Sequence, residues 1–524
     1  MNWQDIIQAE VYDPLEQQYP DRPRNMAEEF LWAVETYGDN VSIVYEGQEI
    51  TYRQIGDDVS KAAHALRHEY SIRQGDRVAM LLGTEPAFVI AAWASVGIGA
   101  IVCPMNIRYQ QQELKYQLQL TEPRVAFVDR ELMDRIIPLQ AEVPSLEYIF
   151  VTGEYPTDEG VLFSTLTQAS LPKESPFRFV EETDPAFIFF TAGTTGHPKG
   201  AVSSHRSLIY SYLRAWVARQ EADSTEVMCI PIPLNYTGGC KSFLGAFHRG
   251  IRCIFLKTWK IDDLLETIQE YRVTNLFGLG SIWALAIASP NFPKYDLSSI
   301  RSVFFGGSST PSAVMKRIAE ALPHAGQAQG YGMTECNGGT VELDTLARPT
   351  SCGLPNPTTQ LRIVDEHDTD LPANQVGQIL IRNPQIFSGY WKDPAATEEA
   401  MRGGWYHSGD MGHLDDDARL YIAGREKDMI IRGQENIYPV EIETVINQHP
   451  SVSEVAVIGV PDEIFGEQVK AILVPRDGEV IEEDEIHRLC QENLAEFKVP
   501  RYMEIREEPL PRNPGGKVLK RELV

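Results

Sequence analysis

Residues 187–200, FIFFTAGTTGHPKG, gather the side-chain types that can hold a polyphosphate. Thr191, Thr194 and Thr195 offer hydroxyls, Lys199 offers a positive charge, and Gly193, Gly196 and Gly200 let backbone N–H groups turn toward an anion. An ordinary nucleotide-binding P-loop needs Gly-x-x-x-x-Gly-Lys-Ser/Thr, whereas here the lysine follows Pro198 and precedes Gly200. Pro198 also lacks the backbone donor such a loop would place before its lysine, so a different nucleotide site is implied. Taken alone, the segment also reads as a plain surface turn of glycine and threonine.

An anion loop has to be carried by rigid elements. The apolar run 187–190 reads as a buried strand feeding the loop, and the stretch SSHRSLIYSYLRAWVARQ reads as a helix capped by Ser203 or Ser204. The start of that helix is expected to face the anion site and to add the favourable end of its dipole. Upstream, the strands VSIVY (41–45), DRVAMLL (76–82) and RVAFVD (124–129) alternate with helical stretches, including one over 52–66. Downstream, MCIPIPL, IRCIFLK, NLFGLG and SVFFGG alternate with the helices IDDLLETIQEYR and PSAVMKRIAEAL. Alternation of this kind predicts parallel sheets covered by helices. Two strand ends, FFGGSS (304–309) and QGYGMTE (329–335), finish in glycine and polar residues, the mark of a ligand crevice, and a nucleotide base is expected there.

From Pro349 onward short strands separated by turns predict an antiparallel or barrel-like subdomain. The charged connector GREKD (424–428) precedes a helix starting at Pro439, and the last hundred residues suffice for a small α+β domain. The expected division is 1–426 and 427–524. The tail is locally basic, and Lys517 follows a Pro-Gly-Gly turn; a solvated cation serving solubility is the plain alternative for it.

With 524 residues the chain exceeds one ordinary core, and its net charge of −27 argues against general binding to nucleic acid or anionic lipid. Seven cysteines lie scattered without a Cys-x-x-Cys pair, and neither they nor the histidines show metal-ligand spacing, so a reducing, cytoplasmic setting is expected. The N-terminus lacks the apolar region of a signal peptide. The uncharged run 88–105 is interrupted by Gly97, Gly99 and Pro104, and it reads as a core helix, a glycine stop and a short strand rather than as a membrane span.

Five segments in order, TAGTTGHPKG, YGMTE (331–335), YHSGD (406–410), GREKDMIIRGQENIYPVEIE (424–443) and PRNPGGKVLKREL (511–523), resemble the adenylate-forming superfamily, in particular AMP-binding acyl-CoA synthetases. The resemblance implies a large layered α/β N-domain with a barrel-like subdomain and a small, mobile α+β C-domain. It implies ATP, Mg2+ and coenzyme A, a carboxylic acid substrate, and room for a homodimer. A carboxylate would attack the α-phosphate of ATP, giving an acyl-adenylate and pyrophosphate, and the CoA thiol would then displace AMP. By position, residues 191–199 would hold the β- and γ-phosphates, Gly306, Gly307, Ser308 and Tyr331 would bracket adenine, and Thr334 would touch the α-phosphate. Glu335 would bind Mg2+, Asp410 would accept from the ribose hydroxyls with Arg425 nearby, Lys427 would sit at the hinge, and Lys517 would supply a cation to the transferring group. Asp410 is expected to be buried only once ligand is bound.

The acyl pocket would draw on Tyr236, Thr237, Gly238, Gly278, Gly280 and Cys336, and its glycines suggest a roomy tunnel for a medium-chain, long-chain or aryl acid. The sequence departs from the family at three places. Ala192 replaces a serine in the loop, PLNYTGG puts Asn235 and Tyr236 where the family has an aromatic residue and a histidine, and Gln434 follows Gly433 where a second glycine is usual beside the CoA channel. The alternative is an enzyme that only adenylates and passes its acyl group to a carrier protein or other nucleophile. A nucleotide-binding protein without chemistry is disfavoured, because Lys517, Glu335 and Asp410 are all present.

Overall fold

The structure, a computed structural model, describes residues 22–155, 159–191, 198–218, 225–278, 280–307, 310, 312–432, 435–462, 464–512 and 518–523. Two seven-stranded sheets form its large part. In one, Gly326–Gln329, Ser302–Phe305, Asn275–Gly278, Val227–Cys229, Arg252–Phe255 and Val41–Tyr45 run parallel, and Gln48–Thr51 closes the edge antiparallel. In the other, Val161–Leu162, Tyr148–Val151, Val125–Val128, Arg77–Leu81, Ile101–Pro104 and Pro185–Thr191 run parallel, and Lys199–Ser204 pairs antiparallel at the edge.

Helices fill the space between the sheets. The largest core joins residues of both sheets (Ile43, Cys253, Phe127, Phe187) to Phe30, Val59, Trp93 and Phe247 from four helices. The helix Tyr52–His68 starts by reciprocal capping: Thr51 Oγ accepts from Gln54 N–H, and Gln54 Oε1 accepts from Thr51 N–H at 2.8 Å. The helix Pro86–Gly97 is buried on nearly every side because it carries no charged residue, and its 12 residues reach only about 18 Å, short of a bilayer's ~30 Å core. Gly99 adopts φ +83° after it, which turns the chain into Ile101–Pro104 as expected. No described helix is long and apolar enough to cross a membrane.

The helix His205–Ala218 corrects one expectation. The strand Lys199–Ser204 intervenes, with Thr191 opposite Lys199 and Pro185 opposite Ser204, so the helix starts at the far end of a hairpin. At ~3.4 Å per residue that is roughly 17 Å from Lys199, too far for its dipole to act on an anion there. Ser204 caps it by accepting from Ser207 N–H at 3.1 Å, while His205 N–H and Arg206 are bound to Asp184 and Glu182.

The barrel-like subdomain is a six-stranded antiparallel sheet in the order Thr340–Val341, Ser351–Pro355, Leu420–Arg425, Tyr406–Leu414, Gly377–Arg382, Gln360–Val364. The small domain has its own sheet, built on the long hairpin Val452–Asp462 and Gly466–Pro475, and its own core of Ile430, Ile437, Ile442, Val457, Leu473 and Ile486. Its tail is pinned on both sides of Lys517, which itself lies outside the described residues. Leu510 and Leu523 are buried against Ile458 and Ile472, Leu519 N–H donates to Pro511 O at 2.8 Å, and Arg512 pairs with Glu454 at 2.7 Å. A freely solvated tail would show none of this.

Candidate active site

The site begins where strands end. Tyr331 follows the strand Gly326–Gln329, and the chain then turns through Gly332, where an added Cβ would stand 2.4 Å from Gly338 Cα. Only glycine lets those two backbone segments cross. Tyr331 O–H donates to Asp410 Oδ2 at 2.8 Å. Asp410 lies directly opposite Arg425 in the strand pair Tyr406–Leu414 and Leu420–Arg425, and Arg425 Nε reaches Asp410 Oδ1 at 3.2 Å. Ser408 Oγ accepts from Asp410 N–H and donates to Ile379 O, which fixes the turn presenting the acid. Three residues named from separate segments thus form one unit.

Asp410 is only 6% exposed, with Tyr331 and Arg425 each engaging one of its oxygens. Loss of water around the Tyr331 hydroxyl, followed by Asp410's charge, pushes that phenol well above the usual tyrosine range and keeps it a donor.

A second unit adjoins the first along the chain. Thr334 Oγ1 lies 3.2 Å from Thr237 Oγ1, which joins the expected α-phosphate contact to the expected acyl pocket. Glu335 is 8% exposed; its backbone carbonyl accepts from Phe387 N–H at 2.7 Å and its carboxylate accepts from Tyr390 O–H at 3.0 Å. Burial raises its pKa, opposed by the Tyr390 hydrogen bond and by Arg425. Lys199 Nζ sits 4.9 Å above the Tyr390 ring, so the lysine of the glycine loop and the carboxylate of YGMTE share one neighbour. Thr191, paired with Lys199, stands beside them. Tyr390 escaped sequence reasoning; its one signal is Gly389-Tyr390-Trp391, two aromatic residues after a glycine outside any strand or helix pattern.

The glycines of the expected acyl pocket differ in what they face. A Cβ on Gly238 would touch Phe277 at 3.5 Å, one on Gly278 would touch Leu276 and Ile282 at 3.4 and 3.5 Å, and one on Gly280 would strike Thr310 at 2.3 Å. Gly280 is required by the close approach of Thr310, whereas Gly238 and Gly278 stand at ordinary contact distance from their neighbours. Cys336 is a further correction: it is fully buried in a core with Tyr210, Ile381 and Phe387, burial pushes its thiol up to about 11, and it forms no wall of an open pocket. Tyr236 does face a partner, accepting from Asn106 Nδ2 at 2.9 Å. Phe277 and Phe304, both half-buried, stack with centroids 5.3 Å apart.

Lys427 lies in the turn Glu426–Asp428 between the six-stranded sheet and the small domain, where burial lowers its pKa, Arg425 and Arg521 lower it further and Asp428 opposes them. Gly306 and Gly307 end the strand Ser302–Phe305 as expected. The expectations for Gly193, Thr194, Thr195, Gly196, Ser308, Gly433, Gln434 and Lys517 fall outside the described residues. Among the described residues no group of three or more His, Cys, Asp and Glu could hold a metal ion by itself.

Residues 30–391 match the AMP-binding enzyme family, and residues 441–517 match the AMP-binding enzyme C-terminal domain. The chain therefore belongs to the AMP-binding enzymes, in the acyl-CoA synthetase branch of the adenylate-forming superfamily, the AMP-forming carboxylate–CoA ligases. It is 32% identical over 490 residues to a feruloyl-CoA synthase of Amycolatopsis sp, covering 92% of this chain and 95% of that one. It is 29% identical over 538 residues to a long-chain-fatty-acid–CoA ligase of Salmonella typhimurium, covering 96% and 95%. Among solved structures, the anthranilate CoA ligase AuaEII in complex with anthranoyl-AMP superposes with a TM-score of 0.89 at 25% identity, covering 96% of this chain and 98% of that one.

Proposed function

We propose that the chain activates a hydrophobic carboxylic acid, medium- or long-chain or aryl, as its adenylate and transfers the acyl group to coenzyme A. The observation that supports this reading is the meeting of Tyr331, Asp410 and Arg425, next along the chain to Thr334 and Glu335, residues suited to a ribose acceptor, an α-phosphate contact and a metal carboxylate. Residues 191–199 and Lys199 hold the terminal phosphates, Gly306, Gly307, Ser308 and Tyr331 hold adenine, and Asp410 takes the ribose hydroxyls. Lys517 brings a cation to the α-phosphorus while the carboxylate oxygen attacks it and pyrophosphate leaves. The thiolate of CoA then attacks the acyl carbon and AMP leaves. Lys427 marks the hinge between domains 1–426 and 427–524.

The donor set fits Mg2+. Glu335 offers one hard carboxylate, and Mg2+ favours one or two carboxylates with phosphates and water completing its shell. When bound, the ion would neutralise phosphate charge, and Glu335, whose carboxylate also accepts from Tyr390, would hold it.

Among these acids an aryl group has particular support. The stacked pair Phe277 and Phe304 lies beside Gly238 and Gly306, where an added Cβ would meet a ring carbon at 3.5 and 3.3 Å, and aromatic side chains there suit an aryl group. The feruloyl and anthranilate ligases among the relatives point the same way. A panel of carboxylic acids assayed for acid-dependent pyrophosphate release tests the reading. Aryl and medium- to long-chain acids should exceed acetate by at least tenfold in kcat/KM, and a preference for acetate would refute it.

A further inference from the structure

Tyr390 belongs to no motif that named the site, yet the fold holds it unusually firmly. Its segment runs beside the strand Lys199–Ser204: Ser388 N–H donates to Val202 O at 2.8 Å, Val202 N–H to Gly389 O at 3.0 Å, and Trp391 N–H to Gly200 O at 2.7 Å. Tyr390 N–H donates to Thr397 Oγ1 at 2.8 Å, and Asp393 N–H donates to Tyr390 O at 3.1 Å. Phe387 packs edge-on against the ring, with centroids 4.8 Å apart at 69°. The ring is thereby set between two groups of opposite charge. Its hydroxyl meets Glu335 Oε1 at 3.0 Å and its face meets Lys199 Nζ at 4.9 Å.

We propose that Tyr390 is a positioning residue that aims the Glu335 carboxylate at the metal and keeps Lys199 apart from that carboxylate, so that the lysine stays available to phosphate. The proposal rests on the assignment of Glu335 and Lys199 given above. With nothing between them, a lysine and a buried carboxylate that share this one neighbour would attract each other, and pairing would withdraw each from its ligand. Instead the positive charge rests on a ring face, which holds a cation weakly, and the carboxylate takes a neutral donor.

The experiment is ATP binding by calorimetry, without carboxylic acid, across a range of Mg2+ concentrations. Tyr390→Phe keeps the ring and removes the donor. It should raise the Mg2+ concentration that half-maximally enhances ATP binding by about 10–100-fold, the usual effect of losing a partner that orients a metal ligand, and leave metal-free ATP affinity unchanged. Tyr390→Leu removes the spacer as well, so metal-free ATP affinity should also fall, and adding Glu335→Gln to Tyr390→Leu should restore it by giving Lys199 nothing to pair with. Thermal unfolding of each variant accompanies the titration. If Tyr390→Phe responds to Mg2+ like the parent while Glu335→Gln has lost its response, the role of Tyr390 is overturned and that of Glu335 stands. If Glu335→Gln also responds like the parent, the underlying assignment fails and this inference with it. An equal loss of metal-free binding in both Tyr390 variants, with lower unfolding temperatures, would reduce Tyr390 to a structural residue.

Discussion

Replacing Asp410 by alanine should weaken ATP binding far more than it weakens the fold. A hydrogen bond to a charged acceptor contributes about 1.5–3 kcal/mol, so losing two ribose bonds amounts to ~3–6 kcal/mol, or about 10²–10⁴-fold in Kd. The structural cost is smaller but real: Asp410 is only 6% exposed, and its removal leaves Tyr331 O–H and Arg425 Nε without the acceptor they share. Arg425 keeps about a third of its side chain in water and can be rehydrated, whereas the half-buried Tyr331 loses its hydroxyl's acceptor, so a loss of about 1–3 kcal/mol in unfolding free energy is expected. Calorimetric titration with ATP, paired with denaturant unfolding, separates the two effects. Asp410→Asn, which retains one acceptor and the shape, should fall between alanine and parent in affinity. If alanine binds ATP as tightly as the parent while stability drops, Asp410 is a structural partner of Tyr331 and the ribose assignment is refuted.

Three further outcomes are expected. Lys517→Ala should slow acid-dependent pyrophosphate release by about 10²–10³-fold while sparing thioester formation from supplied acyl-AMP; equal loss in both half-reactions would remove its assigned role. Glu85, 8% exposed, has its pKa raised to about 7 by burial and then by Asp129, so the native state holds that proton more tightly than the unfolded chain. Its contribution to stability is whole below about pH 4 and is lost as pH rises through about 7, so Glu85→Gln should add ~2–3 kcal/mol at pH 8 and flatten the pH dependence; an unchanged slope in denaturant titrations would contradict this. Gln434→Gly should lower the KM for CoA without altering pyrophosphate release, and an unchanged KM would show that the glutamine does not narrow the channel.

What the sequence made legible follows from which residues carry local signals. The strands Arg77–Leu81, Val125–Val128 and Ser302–Phe305 are short apolar runs ended by polar or glycine residues, and they lie within the stretches read as strands. Asp410 and Arg425 were named from separate motifs, and their cross-strand pairing follows from antiparallel register in the barrel-like sheet. The strand Lys199–Ser204 was illegible because its residues, KGAVSS, are small and carry no alternation; only pairing with Pro185–Thr191 and contact with residues 388–391 make it a strand. Gly280 misled for a related reason. A glycine records that something comes close, and only the fold shows whether that is a ligand, as proposed at Gly306, or Thr310 pressing on Gly280. Tyr390 was missed because its function lies in contacts with Glu335 and Lys199, 55 residues and far more along the chain.

The central claim is that one chain adenylates a carboxylic acid and then hands it to CoA, and measuring both half-reactions on the same enzyme tests it most directly. Pyrophosphate release is followed with acid, ATP and Mg2+, and thioester and AMP are followed after CoA is added. The account predicts acid-dependent pyrophosphate, a bound acyl-adenylate, and its conversion on adding CoA to one thioester and one AMP per adenylate consumed. Pyrophosphate release with acyl-adenylate persisting at saturating CoA, and no thioester, would contradict it and leave an adenylating enzyme that serves another acceptor.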